Sequence, residues 1–207
     1  MTDGRKVRGQ RSREAILGSA VALASVDGLD GLTLGRLAEA AGVSKSGFFA
    51  HWRDKEQLQL EAVDWARRQW IEHVVTPALA VPEGVRRVLA LHEARLAFYQ
   101  EGVLPGGCFF FAAQVEFDDR PGPVKDRVAQ AMNDWLGFLE KSVQEAVDRG
   151  ELRADPAQLA YEIEALGEAV VTHSRLRDGP QAFVRARRAV LERLRALSPD
   201  PSLLPED

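Results

Sequence analysis

A single cysteine, four histidines and no long apolar run set the first limits on this chain of 207 residues. Cys108, being alone, excludes an intramolecular disulfide framework and a cysteine-based zinc site, and is expected to be a buried, inert thiol. His51, His73, His92 and His173 lack the spacing of two histidines four apart on one helix, so no metal and no cofactor is expected. No apolar stretch approaches the roughly 18–20 residues that a bilayer span needs. The segment Thr2 to Glu14 is polar and basic with no hydrophobic run behind it, which is not the pattern of a secretory signal. No membrane partner is therefore expected, and the cytoplasm is the expected location. A glycine-rich phosphate loop and a Gly-x-Ser-x-Gly elbow are also missing, which argues against an enzyme.

What is present is a helical pattern. With 45% hydrophobic and 28% charged residues the composition is that of a globular protein with a substantial core. The net charge of −4 is unevenly spread. Residues 1–56 carry nine Lys/Arg against seven Asp/Glu, leaving eighteen basic and twenty-four acidic residues beyond. A basic end on an acidic body suggests a nucleic-acid partner for that end.

Helical periodicity runs nearly from end to end, with no strand alternation and no repeat. Ser12 is the expected cap of a first helix ending at Gly28, and Thr33 that of a second helix running to Ala41. Gly42 permits a sharp turn, Ser44 caps a short third helix, and Asp54 with Gln57 forms the start of a long fourth helix reaching about Val75. Pro77 and Pro82-Glu83-Gly84 then punctuate the chain. Further helices are expected at about 83–101 and 108–116, from Pro123 to about Arg149, from Asp155-Pro156-Ala157-Gln158 onward, and at 181–197. Ser198 to the end, with three prolines, reads as an unstructured tail. The expected fold is all-α, with about nine helices: a three-helix DNA-binding domain (1–56), a helical bundle for sensing and dimerisation (57–198), and a tail (199–207).

The second helix, the turn at Gly42 and the third helix have the lengths of a helix-turn-helix. Phe48 and Trp52 are four apart and share a face, expected to pack on Leu34, Leu37, Ala38 and Ala41 and on Ile16, Ala20 and Leu23. Lys45 and Phe49 then point outward with Ser44 and Ser46. A solvated lysine or an interface phenylalanine would each be ordinary taken singly. Together, on a short capped helix, they fit a DNA groove, where Lys45 meets phosphate or guanine and Phe49 meets sugar or a thymine methyl. The helix starts at Thr33 and Ser44, with His51 and Lys55 beside the next one, offer amides and cations to phosphate. The basic arm (Arg5, Lys6, Arg8, Arg11, Arg13) suits the DNA backbone or an adjacent minor groove.

The stretch from Ser12 to Leu58 resembles the tetracycline-repressor family of bacterial regulators. The matching residues are Ser12, Ile16, Ala20, Gly28, Thr33, Leu37-Ala38, Ala41-Gly42-Val43-Ser44, Phe48-Phe49, His51-Trp52, Lys55 and Leu58. Two positions depart from the family pattern: Phe49 stands where a tyrosine usually bonds a phosphate, and Ala24 where a bulky aromatic is common. The resemblance implies a homodimer whose last two helices form a four-helix bundle with the partner's. It also implies a C-terminal domain in which ligand binding alters the spacing of the two recognition helices and releases the operator.

In the body, Ile163, Leu166 and Val170, followed by Phe183, Val190 and Leu194, form apolar stripes suited to a core or to a dimer interface. His92, Leu96 and Tyr99 lie on one apolar face, Met132 and Trp135 on another, with Phe110 and Gln114 between them in sequence. These seven are candidate effector contacts, because small-molecule sites are mainly apolar with a few placed polar groups. The function these expectations support is a repressor that binds double-stranded operator DNA as a homodimer and responds to a small apolar or amphipathic effector. A constitutive regulator without a ligand, and a helical enzyme, are the alternatives.

Overall fold

In the computed structural model, which describes residues 3–42 and 51–206, side-chain caps set several of the helix starts. Helix α1 spans Asp3–Asp27 and α2 spans Leu34–Ala41, capped by Thr33 Oγ1, which accepts the Arg36 N–H at 3.3 Å. Gly42, in the left-handed region at φ 64°, ends α2. Helix α3 spans Lys55–Trp70, and Asp54 Oδ1 accepts the Gln57 N–H at 2.8 Å. Gln57 Oε1 reaches back to the N–H of Arg53, one residue before the cap, closing a variant of the reciprocal capping box.

The chain continues through a π-helical turn, Ile71–Val75, into the short α4, Thr76–Leu79. The expected break at Pro77 is therefore a bend in helical type. Proline cannot donate to a preceding carbonyl, and the wider turn, with Thr76 N–H bonded to Ile71 O, accommodates the ring without ending the helix. Then follow α5 (Val85–Gln100), α6 (Phe109–Phe117), α7 (Pro123–Asp148), α8 (Pro156–Leu176) and α9 (Gln181–Leu197). Cys108 Sγ caps α6, accepting the Phe111 N–H at 3.4 Å, and Asp155 caps α8 through the Gln158 N–H at 2.8 Å. No strand occurs among the described residues.

Packing divides the chain into two compact units, one of residues 1–68 and 104–131, the other of 69–103 and 132–207. The packing boundary falls within α3 and again within α7. In the first unit α1 packs on α2 and α6. Its core includes Ile16, Ala20, Leu37, Trp52 and Leu58. In the second unit α5, α8 and α9 pack together. Their shared core holds Val88, Leu91, Leu139, Ile163, Val190 and Leu194.

Two expectations are corrected by these contacts. The first helix starts at Asp3, not near Ser12, because Arg, Lys and Gln favour a helix and no proline interrupts it, despite Gly4 and Gly9. The tail is ordered: Pro201–Leu203 forms a 3₁₀ turn, and Leu204, 4% exposed, belongs to the second unit's core. Arg86 Nε donates to Leu203 O at 2.7 Å and Arg195 Nη1 to Pro205 O at 2.9 Å, so one leucine and two arginines overcome the three prolines.

Candidate functional site

Trp52, just before α3, anchors the core of the first unit. It is 1% exposed, and its indole Nε1 donates to Glu61 Oε2 at 2.9 Å. Arg13 grips the same carboxylate from α1, with Nε 3.0 Å from Oε2, and its guanidinium lies 5.5 Å from the Trp52 ring centroid. Burial alone would raise the Glu61 pKa, but the hydrogen bonds from Arg13 and Trp52 outweigh it and hold the carboxyl below its ordinary value. The inward orientation expected of Trp52 is thus observed. His51 stands edge-on to it, ring centroids 5.4 Å apart. Ser44, Lys45, Ser46, Phe48 and Phe49 lie outside the described residues.

Thr33 is exposed at the start of α2, as expected. Lys55 differs from expectation, since its anion is internal. Lys55 Nζ bonds Asp30 Oδ1 at 2.7 Å and the Asp30 carbonyl, while Asp30 Oδ2 accepts Arg120 Nη1 at 3.0 Å. The Lys55 hydrogen bond, then its charge, holds the Asp30 carboxyl below the usual range. Glu116 of α6 completes the cluster, accepting the Leu29 N–H at 2.6 Å and the Asp30 N–H at 3.0 Å. Gly28 makes room for it. With φ 82° and a hypothetical Cβ 2.9 Å from Glu116 Oε2, that position requires glycine.

In the second unit the expected effector residues divide. His92 is 1% exposed, and its Nε2 lies 3.2 Å from Ala186 O. Nδ1 has no hydrogen-bond partner among the described residues. Burial, and secondarily the Arg95 charge, lowers its pKa to about 3, so the ring is neutral near pH 7. Leu96 and Tyr99 are buried, and Met132 and Trp135 half-buried. Phe110 and Gln114 are half-buried in the other unit. Arg95 dominates this region: its guanidinium makes a two-pronged contact with Glu164, Nη1–Oε2 2.8 Å and Nη2–Oε1 3.1 Å, and its Nε donates to Tyr99 Oη at 3.0 Å. Trp135 Nε1 donates to Glu164 Oε2 at 2.6 Å.

The apolar stripes proposed for dimerisation are largely internal. Val190 and Leu194 are fully covered within one chain, and Ile163 and Val170 nearly so, which leaves them no surface for a partner. The reason is that α8 and α9 each turn their apolar stripe onto their own unit's core. Leu166 and Phe183 keep partial exposure. A groove of about 500 Å³ is nonetheless lined by four alanines of α8 and α9, by Leu166 and the edge of Val170, and by the charged Arg177, Asp178 and Arg185.

Two family models match this chain: bacterial regulatory proteins of the tetR family over residues 16–62, and the tetracyclin repressor-like C-terminal domain over residues 84–190, just over half of it. The chain belongs to the tetracycline-repressor family. It is similar to a TetR transcriptional regulator of Chloroflexus aurantiacus J-10-FL, at 28% identity and a TM-score of 0.81, over 88% of this chain and 93% of that one. It is also 24% identical to the HTH-type transcriptional regulator SrpR of Pseudomonas putida over 69% of this chain, spanning 64% of that relative's length. The fold is shared, at 19% identity and a TM-score of 0.70, with AibR, whose structure was solved with isovaleryl coenzyme A and operator DNA; 91% of this chain and 98% of that one are covered. The protein is thus a TetR-family transcriptional regulator with a DNA-binding helix-turn-helix.

Within this TetR-family chain, sequence reasoning missed Asp30, Glu61, Glu116, Arg95 and Glu164. Arg95 carried a signal, since it sits on the apolar face of α5 three residues past His92 and four before Tyr99, where a leucine would be ordinary. Glu116 gave no local signal for its role. Its bonds to the Leu29 and Asp30 amides cross 87 and 86 residues, a distance no local pattern encodes. Among the described residues no helix is long and apolar enough to cross a membrane, and no cluster of His, Cys, Asp or Glu could hold a metal.

Proposed function

We propose that this regulator is a cytoplasmic repressor that binds a palindromic operator as a homodimer and is released by a small apolar or amphipathic effector. The observation that carries the DNA half is the burial of Trp52. With Trp52 held inward by Glu61 and Arg13, the segment before it is read as offering Lys45 and Phe49 to the duplex. Thr33, Ser44, Ser46 and His51 contact phosphate or sugar, and Lys45 reads a base edge or phosphate. Lys55 reaches phosphate by exchanging Asp30 for it, an exchange at small cost because an exposed ion pair contributes only about 0–1 kcal/mol.

AibR, which shares the fold, was solved with both an acyl thioester and operator DNA. This chain is read in the same way, with its effector held among His92, Leu96, Tyr99, Met132 and Trp135. For the dimer, the alanine-lined groove of α8 and α9 allows close helix approach, and Leu176, 81% exposed, and Tyr161 give apolar surface to bury. A two-fold dimer matches half-sites one or more helical turns apart.

A second reading, a constitutive regulator, draws on the internal bonding of Tyr99 and Trp135, whose polar tips already have partners. A gel-shift on DNA upstream of the chain's own coding sequence, repeated with a panel of small amphipathic molecules, tests both. The repressor reading expects a shifted band that one panel member abolishes. A band that none of them affects favours the constitutive reading, and no band at all sinks both.

A further inference from the structure

Hydrogen-bond donors from two helices converge on one carboxylate in the second unit. Glu164 of α8 receives Arg95 from α5 and Trp135 from α7. Trp70, at the end of α3, adds a third donor without an acceptor. Its ring lies edge-on to Trp135 with centroids 5.1 Å apart and 6.1 Å from that of Tyr99, and its buried Nε1–H has no partner among the described residues. A buried donor left unpaired is costly, so a donor-rich cluster favours an additional acceptor.

The ion pair is also lopsided. The Arg95 side chain is 3% exposed and Glu164 18%. Arg95 is wedged against α8 at Gly167, where a Cβ would stand 2.3 Å from Nη1, and Nη1 also reaches the Glu164 carbonyl at 3.3 Å. The arginine is therefore fixed, and the glutamate is the member able to leave. Its departure would strand a buried guanidinium unless another anion took its place. A neutral guest leaves Arg95 unpaired, and a cationic guest faces it directly. The rings of Trp70, Phe98, Tyr99 and Trp135 pack against one another beside the pair, and an apolar body entering there would part them and keep them covered.

We propose that Glu164 is a resident stand-in for the carboxylate of the effector, and that the effector is an amphipathic carboxylic acid with an aromatic or medium-chain body. Its carboxylate takes Arg95 and the indole N–H groups of Trp135 and Trp70, while Glu164 turns to solvent. This rests on the reading of the chain as ligand-responsive, and adds to it the chemical class.

The test titrates the full chain with 1-naphthoate, octanoate, 1-naphthamide and 1-naphthylmethylammonium, followed by tryptophan fluorescence and calorimetry. Both carboxylates are expected to bind and quench, with the amide at least about tenfold weaker and the ammonium silent. Glu164→Gln, nearly isosteric and checked for folding by its melting curve, removes the internal competitor's charge and is expected to tighten naphthoate about tenfold. Amide or ammonium binding as tight as carboxylate overturns the proposal. So does a Glu164→Gln variant that gains no affinity, or silence of both carboxylates toward both proteins. The gel-shift separates the two readings. Carboxylate binding without operator release leaves the site standing and sinks the repressor, whereas release by the amide or ammonium alone does the reverse.

Discussion

One cluster of charged groups in each compact unit is held in a way opposite to that in the other. In the first, Asp30, Lys55 and Arg120 form pairs whose side chains are all close to half exposed, so water competes for every contact and each pairing is weak and exchangeable. In the second, Arg95 and His92 are sealed in, one charged and paired, the other driven neutral. The same Coulomb attraction thus serves two ends. At the surface it holds Lys55 in a pair that solvent and other ions can exchange. In the interior it fixes one geometry, because an unpaired charge there is severely penalised.

The largest expected effect lies in the interior. Arg95→Met strands Glu164 and is expected to lower unfolding free energy by about 3–5 kcal/mol in denaturant melts, with part of the loss recovered in the Arg95→Met/Glu164→Gln double variant. A loss below about 1 kcal/mol would mean that the pair is as solvent-screened as those of the first unit.

His92 comes next. Its folded pKa, about 3, lies below the unfolded value near 6.5, so the unfolded chain binds more protons as pH falls between them. Stability from the neutral ring is full above pH 6.5 and declines below it, by about 2 kcal/mol at pH 5. Melts of His92→Gln are expected to show less acid sensitivity than wild type in that window. Parallel curves would place the ring in water.

A smaller effect is expected at Trp52→Phe, which keeps most of the ring but drops the bond to Glu61, at a cost of about 1–3 kcal/mol by thermal melting. Smallest of all, and visible in DNA binding rather than stability, is the surface exchange. Lys55→Ala is expected to make the logarithmic salt slope of operator binding shallower by about one unit. Asp30→Asn, which releases Lys55, is expected to tighten binding by roughly threefold at low salt. Unchanged slopes and affinities in both variants would remove Lys55 from the DNA interface and leave it a staple of its own unit.

Much of this architecture was legible in advance where the information is local. Thr33, Asp54 and Asp155 each cap an amide three residues on, and Gly42 ends a helix by a conformation that other residues resist. The burial of Trp52 follows from its large apolar ring. The ordered tail was not legible, because its prolines argue against a helix while Leu204 finds its place only among residues far away in sequence. Nor was the internal fate of Ile163, Val190 and Leu194. An apolar stripe looks the same whether its own chain or a partner covers it.

By itself, then, the amino-acid order determined the helical class, most helix starts and the helix-turn-helix assignment, all of which depend on residues within one or two turns of each other. Tertiary structure alone decided the ionic partners: Lys55 with Asp30 across 25 positions, and Arg95 with Glu164 across 69. Periodicity tells which face of a helix is apolar. Which charge a buried arginine meets depends on how separate helices come together, and that is settled only when the whole core packs.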